Sequence, residues 1–318
     1  MQSVGSAEAA PGECAIGRLD VGEDRDGSIL RLPVAVINGV DEGETLYIQA
    51  VSDGDELNGL GVISGLIPSI DPTELKGTVL VVGIVNMHGF RAGEHRNPVD
   101  DTKINRTYPG DANGSSSERL AAATFELAES ADYVLDLHQG STSRMIEECR
   151  VRCGQGHRLH DACLELARVF GCGFILDRKG PDGQLARAAP DAGVPAIDPE
   201  LGGSVGWDHA SIAAGIRGVE NVLTYYDFLP GEVSVESQVR AQGFTQYGAP
   251  SGGLVHYDAA LGDHVRTGDA LFTVKDVFGQ EQDVVEAESA GIFWRTRRRP
   301  QVASGEYVCT IGTNVDEV

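Results

Sequence analysis

The chain has 318 residues, is 41% apolar and carries a formal charge of −23. That length predicts a main domain with a smaller appendage, and that acidity repels phosphate backbones and anionic lipid, which argues against nucleic acid and membrane surfaces as partners. The excess of Asp and Glu suits a protein kept soluble in high salt, and equally an ordinary acidic cytoplasmic enzyme.

Six cysteines are too few for a disulfide scaffold at this length. Cys149, Cys153, Cys163 and Cys172 do not follow a zinc-finger spacing and read as buried thiols. The N-terminus shows no basic segment followed by an apolar core, and no later run approaches a membrane span, so a cytoplasmic protein is expected.

In chain order, residues 1–28 read as a loose lead-in rich in Gly, Ala and acids. Residues 29–37 and 44–51 read as strands, residues 57–66 as a glycine-containing helix packed close on a sheet, and the β-branched run 77–85 as a strand buried on both faces. A polar loop from Asn86 to about Gly114 gathers His88, Arg91, His95, Arg96, Lys103 and Arg106. These cations either pair with the acidic surface or form an anion clamp, for which the guanidinium fork of Arg106 is the best suited. Ser115-Ser-Ser-Glu118 is a capping box for a helix with apolar residues at 120, 123, 127 and 128. Residues 133–138 read as a strand, 160–170 as a helix stopped by Gly171, and 194–197 as a short strand. Alternating strands and helices predict an α/β fold: a mixed, largely parallel central sheet with helices on both faces. From about Gly243 short strands separated by glycine turns predict a small all-β, barrel-like module. The expected division is therefore 1–242, an α/β hydrolase domain, and 243–318, the β module. The basic run Arg295-Thr-Arg-Arg-Arg299 is expected to pair with the acidic main domain or a neighbouring subunit, with a polyanion site as the alternative.

Three fragments carry the chemistry: Asp53-Gly-Asp-Glu56, Leu135-Asp-Leu-His138 and Asp198-Pro-Glu200, each at the end of an apolar β-type run. Asp53, Glu56 and His138 can meet there as metal ligands with Glu200 beside them, an arrangement that leaves a position for water. Taken singly, Asp-Gly-Asp-Glu is also the composition of a turn, and His138 that of a structural histidine.

The ordered set Asp53-Gly-Asp-Glu-Leu-Asn-Gly59, Asn86-Met-His-Gly-Phe90, Asn97 to Gly110 (with Ile104-Asn-Arg-Thr-Tyr-Pro-Gly110), Leu135-Asp-Leu-His138 and Pro199-Glu-Leu-Gly-Gly203 resembles the succinylglutamate desuccinylase/aspartoacylase family, relatives of the zinc carboxypeptidases. The resemblance spans roughly residues 29–312. It implies one Zn²⁺ per subunit, with Glu56 and His138 as ligands. Asn105 and Arg106 would hold a substrate carboxylate, and Glu200 would be the catalytic carboxylate. Asp136 would stand behind His138 or be a strand-end polar residue. Two departures matter. Asp53 stands where the family has His, and His95 where it usually has Arg, with Arg96 one place along. His88 and His95 are the imidazoles that could substitute as ligands, without a spacing that selects either.

An Asp, Glu, His set carries one more negative charge than the family's set. It should therefore polarise water less and tolerate Mn²⁺ or Co²⁺ beside Zn²⁺. The expected activity is hydrolysis of the amide bond of a small N-acyl amino acid or related carboxylate-bearing amide. Water on the metal is the nucleophile, Glu200 the general base and then acid, and Arg96 or His95 the oxyanion donor. The competing readings are a metal-poor small-anion-binding protein and a carboxypeptidase-like peptidase. The sequence leaves room for a homo-oligomer and does not name the acyl group.

Overall fold

The computed structural model describes residues 1–203 and 206–318. A hairpin of β1 (Gln2–Val4) and β2 (Ala7–Ala9) precedes β3 (Glu13–Glu23), β4 (Ile29–Asn38), β5 (Asp41–Ala50), α1 (Asn58–Leu66), β6 (Lys76–Val82), α2 (Met87–Ala92) and α3 (Ser116–Glu129). Then come β7 (Tyr133–Leu137), β8 (Ser143–Met145), β9 (Glu148–Val151), α4 (His160–Phe170), β10 (Phe174–Asp177), α5 (Leu185–Ala192), β11 (Ala196–Glu200) and α6 (His209–Tyr225). The remainder is all strand: β12 (Val239–Gly248), β13 (Gly253–Tyr257), β14 (His264–Val265), β15 (Ala270–Lys275), β16 (Glu281–Glu286), β17 (Gly291–Arg297), β18 (Gln301–Val302) and β19 (Tyr307–Glu317). None of the described helices is long and apolar enough to cross a membrane.

A sheet of 13 strands runs in the order β14-β17-β19-β12-β10-β9-β11-β7-β5-β6-β4-β3, with β8 paired to β17. It is mixed, as expected, but not largely parallel. Only β6-β5-β7-β11 and β9-β10-β12 are parallel runs; β3-β4-β6, β11-β9 and the pairings of β19 and β17 are antiparallel. The reason is connection length. Parallel neighbours need a crossover, such as the one through α1 between β5 and β6, whereas the short turn between β3 and β4 can only reverse the chain.

Helices cover both faces. Leu46 and Ile48 of β5 point to one core with Val62, Phe170 and Val222 from α1, α4 and α6, and Tyr47 between them points to a second core with Leu120 and Leu185 from α3 and α5. This period-2 alternation makes a strand flanked by helices read as a continuous apolar run. The lead-in is not loose. β3 pairs with β4 along its 11 residues, half-exposed at the sheet edge, and its interspersed charges disguise it as loop.

The strands beyond Gly243 divide between two sheets. β12, β19, β17 and β14 extend the large one, while β16-β15-β13-β18 form a separate four-stranded sheet. Tyr247, Phe272, Phe293 and Ile311 pack between the two.

The capping box at the start of α3 forms as written in the sequence: the Ser115 side chain accepts from Glu118 N, and the Glu118 carboxylate accepts from Ser115 N at 2.7 Å. Ser115→Ala should lower stability by about 1 kcal/mol in denaturant unfolding, with an unchanged circular dichroism spectrum.

Candidate active site

β11, β7 and β5 are adjacent and parallel, so their C-terminal ends open on one edge, the usual place for a site in such a sheet. β5 stops at Ala50, and Val51 turns the chain at φ 57°, a left-handed conformation that costs a β-branched residue about 1–3 kcal/mol. Ser52, Asp53, Gly54, Asp55 and Glu56 follow that turn. Gly54 lies so close to α2 that a Cβ there would meet Gly89 C at 2.3 Å, which pins the loop. β7 delivers His138 and β11 delivers Glu200, and the two residues form a parallel bridge.

Asp53, Glu56 and His138 converge as expected. His138 Nδ1 lies 2.9 Å from Glu56 Oε2 and 3.6 Å from Asp53 Oδ2; Gln139 N donates to the same Glu56 oxygen at 3.0 Å. His138 Nε2 faces Asp136 Oδ2 at 3.0 Å, and Asp136 is held in turn by Gln49 Nε2 at 2.8 Å. Asp136 thus fixes the ring orientation from behind. Burial by itself would lower the His138 pKa, but the carboxylates of Asp136 and Asp198 outweigh it and hold the pKa well above that of free imidazole. Glu56 is pushed up to about 7, chiefly by burial and then by Asp53.

These residues fit a divalent cation in kind. Asp53 is 1% exposed, and neither of its oxygens accepts an aligned hydrogen bond. His95 also reaches the cluster: Asp53, Glu56 and His95 offer ligand atoms all within 4.8 Å of one another. Its Nε2 lies 3.6 Å from Asp53 Oδ1, and its Nδ1 pairs with Asp55 at 2.9 Å. Two carboxylates with an imidazole suit Zn²⁺ and, being oxygen-rich, harder ions too. His88, by contrast, faces Asp24 at 3.5 Å and lines a different cavity.

The cluster opens into a cavity of about 340 Å³ also lined by Asn105, Arg106 and Glu200. Asn105 is buried against the His138 ring and takes a hydrogen bond from Leu185 N at 3.0 Å. Arg106 donates to the Asn105 carbonyl. Arg96 is placed elsewhere: it is exposed, donates to Asp101 O at 2.7 Å and does not line this cavity. The loop turns between positions 95 and 96, so His95 faces inward and its neighbour outward.

Residues that the sequence reading passed over complete the site. Arg150 on β9 contacts both Glu200 and Glu148, which lie opposite each other in the β11–β9 register, and Arg152 pairs with Asp198 at 3.3 Å. Burial pushes the Glu148 carboxyl up to about 7 against the opposing pull of Arg150. Arg295, the first residue of the basic run noted in the sequence, also lines the cavity. The available signal was Glu148-Cys-Arg-Val-Arg152: alternating charges on a strand whose every residue is buried, which requires partners.

Residues 42–226 match the succinylglutamate desuccinylase/aspartoacylase catalytic domain, and the chain belongs to that family. It is 28% identical over 304 residues to the N-alpha-acetyl-L-2,4-diaminobutyric acid deacetylase of Halomonas elongata, covering 90% of this chain and 87% of that one. Its fold is similar to the product-bound ectoine utilization protein of Ruegeria pomeroyi, with a TM-score of 0.86, 23% identity and coverage of 98% of this chain and 99% of the other. A succinylglutamate desuccinylase from Silicibacter sp. TM1040 gives a TM-score of 0.84 at 22% identity, with the same coverage of both chains.

Arg150→Met would leave Glu148 and Glu200 facing each other without a cation. Denaturant unfolding should show a loss of about 3–5 kcal/mol, the cost of breaking a buried ion pair on one side.

Proposed function

We propose that this protein hydrolyses the amide bond of a small N-acyl amino acid, or a related carboxylate-bearing amide, with the aid of a divalent metal ion. The observation that carries the reading is the convergence of Asp53, Glu56 and His138 Nδ1 at the mouth of a cavity that Asn105, Arg106 and Glu200 also line. Membership of the family and the deacetylase named among its relatives support amide deacylation as the reaction class.

Asp53, Glu56 and His138 would hold the ion, which supplies Lewis-acid polarisation of the amide carbonyl and of water near neutral pH. The remaining work falls to side chains of this chain. Arg106, a guanidinium able to fork onto a carboxylate, holds the substrate with Asn105 and fixes the scissile bond. Glu200 takes a proton from the attacking water and passes it to the departing nitrogen as the C–O bond forms and the C–N bond breaks. Arg150 against one Glu200 oxygen orients that carboxylate. His95, facing the cavity where Arg96 does not, is the side chain placed to stabilise the oxyanion once Lys103 has moved off its Nε2 and that nitrogen carries a proton. The products are a carboxylate and an amine.

Protein stripped of metal and reloaded with Zn²⁺, Mn²⁺ or Co²⁺ should hydrolyse at least one member of an N-acyl amino acid panel that includes N-α-acetyl-2,4-diaminobutyrate, and chelation should stop it. Silence with every metal would leave the small-anion-binding reading in its place. Within that assay Glu200→Gln should cut kcat by about 100-fold or more with little change in KM. Arg106→Ala should lower kcat/KM by about 10- to 100-fold, mostly through KM, as expected for losing hydrogen bonds to a charged group.

A further inference from the structure

Lys103 is the N-cap residue of the single turn Ile104–Arg106, two positions before the Asn105 that packs on His138. Its side chain leads back into the cluster. Nζ lies 2.9 Å from Asp53 Oδ2 and 3.0 Å from His95 Nε2, and the side chain keeps 25% of its surface exposed along the cavity. The ammonium thus sits against the carboxylate that departs from the family's ligand set, on the imidazole best placed to substitute for the missing one. Because Nζ can only donate, His95 Nε2 must present its lone pair to the lysine.

From this juxtaposition we propose that the Lys103 ammonium is a tethered cation built into the metal site, which competes with a divalent ion for Asp53 and lowers the affinity of the protein for that ion. The inference rests on the metal-site reading above and deepens it. A carboxylate as buried as Asp53 needs a positive partner. Lys103 provides one at all times at high local concentration, because it is part of the same chain. An ion at bonding distance from Asp53, roughly 2.0–2.2 Å, and an ammonium on the same oxygen would repel in a weakly screened site, so Lys103 must swing away for the ion to bind. The partly exposed side chain permits that movement, while Asn105 stays held by His138 and Leu185.

The test is calorimetric titration of Zn²⁺ and Mn²⁺ into the chelator-treated full chain at one pH. Lys103→Met should bind the ion about tenfold tighter or more than the natural sequence, from removal of one competing unit charge. Lys103→Gln should show the same direction should the Met variant fold poorly, and Lys103→Arg should stay close to the natural affinity. The gain should vanish in the double variant Asp53→Asn, Lys103→Met. Equal affinities for the natural chain and Lys103→Met would overturn the competition while leaving the metal site intact. A gain that persists without the Asp53 carboxylate would overturn it by placing the ion elsewhere. No heat of binding in any variant would overturn both this inference and the metal-dependent reading.

Discussion

The structure depends on balancing buried negative charge at the ends of three strands. Asp53, Asp136, Glu148 and Asp198 are each no more than 1% exposed, and Glu56 and Glu200 are nearly as deep. Carboxylates taken out of water are tolerated only when paired and hydrogen-bonded. Four of the cations in the vicinity serve that task. His138 sits between Asp136 and Glu56, Lys103 lies on Asp53, Arg150 joins Glu148 to Glu200, and Arg152 lies on Asp198. A net charge of −23 thus hides a local cluster in which positive side chains are concentrated inside and the acidic excess lies outside.

The sheet makes this possible. Parallel neighbours β5, β7 and β11 end in step, so one loop and two strand-end residues reach the same volume without a long excursion. The antiparallel insertion of β9 next to β11 then supplies arginines from the other direction, with Arg150 in register with Asp198 and Glu148 with Glu200. Had β9 run parallel to β11, the alternation of Glu148, Arg150 and Arg152 would meet its partners with the opposite stagger. Strain is stored at the junction: Val51 adopts its left-handed conformation where β5 gives way to the loop that carries Asp53 and Glu56, held by complete burial.

Asp53 does more than line the cavity. It adds a negative charge to the site, and Lys103 meets that charge from a loop fifty residues away in sequence. The strand-end cluster and this loop therefore form one electrostatic unit. The same loop carries Asn105 and Arg106, so the groups that would receive a substrate's carboxylate and the group that neutralises the ligand carboxylate are neighbours on a single turn.

Much of this was legible without coordinates, and for physical reasons. Apolar periodicity located β4 to β7 and α3 and α4, because burial against a sheet or helix face leaves its period in the chain. The capping box and Gly171 marked helix ends, because unsatisfied backbone groups and a φ of 89° select those residue types. The ordered motifs placed Asp53, Glu56, His138, Asn105, Arg106 and Glu200, which the fold brings to one cavity. What only the tertiary structure decided were pairings between distant segments: the direction of β9, the continuity of β12 and β19 with the large sheet, the outward turn of Arg96 beside an inward His95, and the reach of Lys103 to Asp53. Strand direction and side-chain aim leave no period in a sequence. They are fixed by which charges and apolar faces must meet in space once the chain has closed on itself.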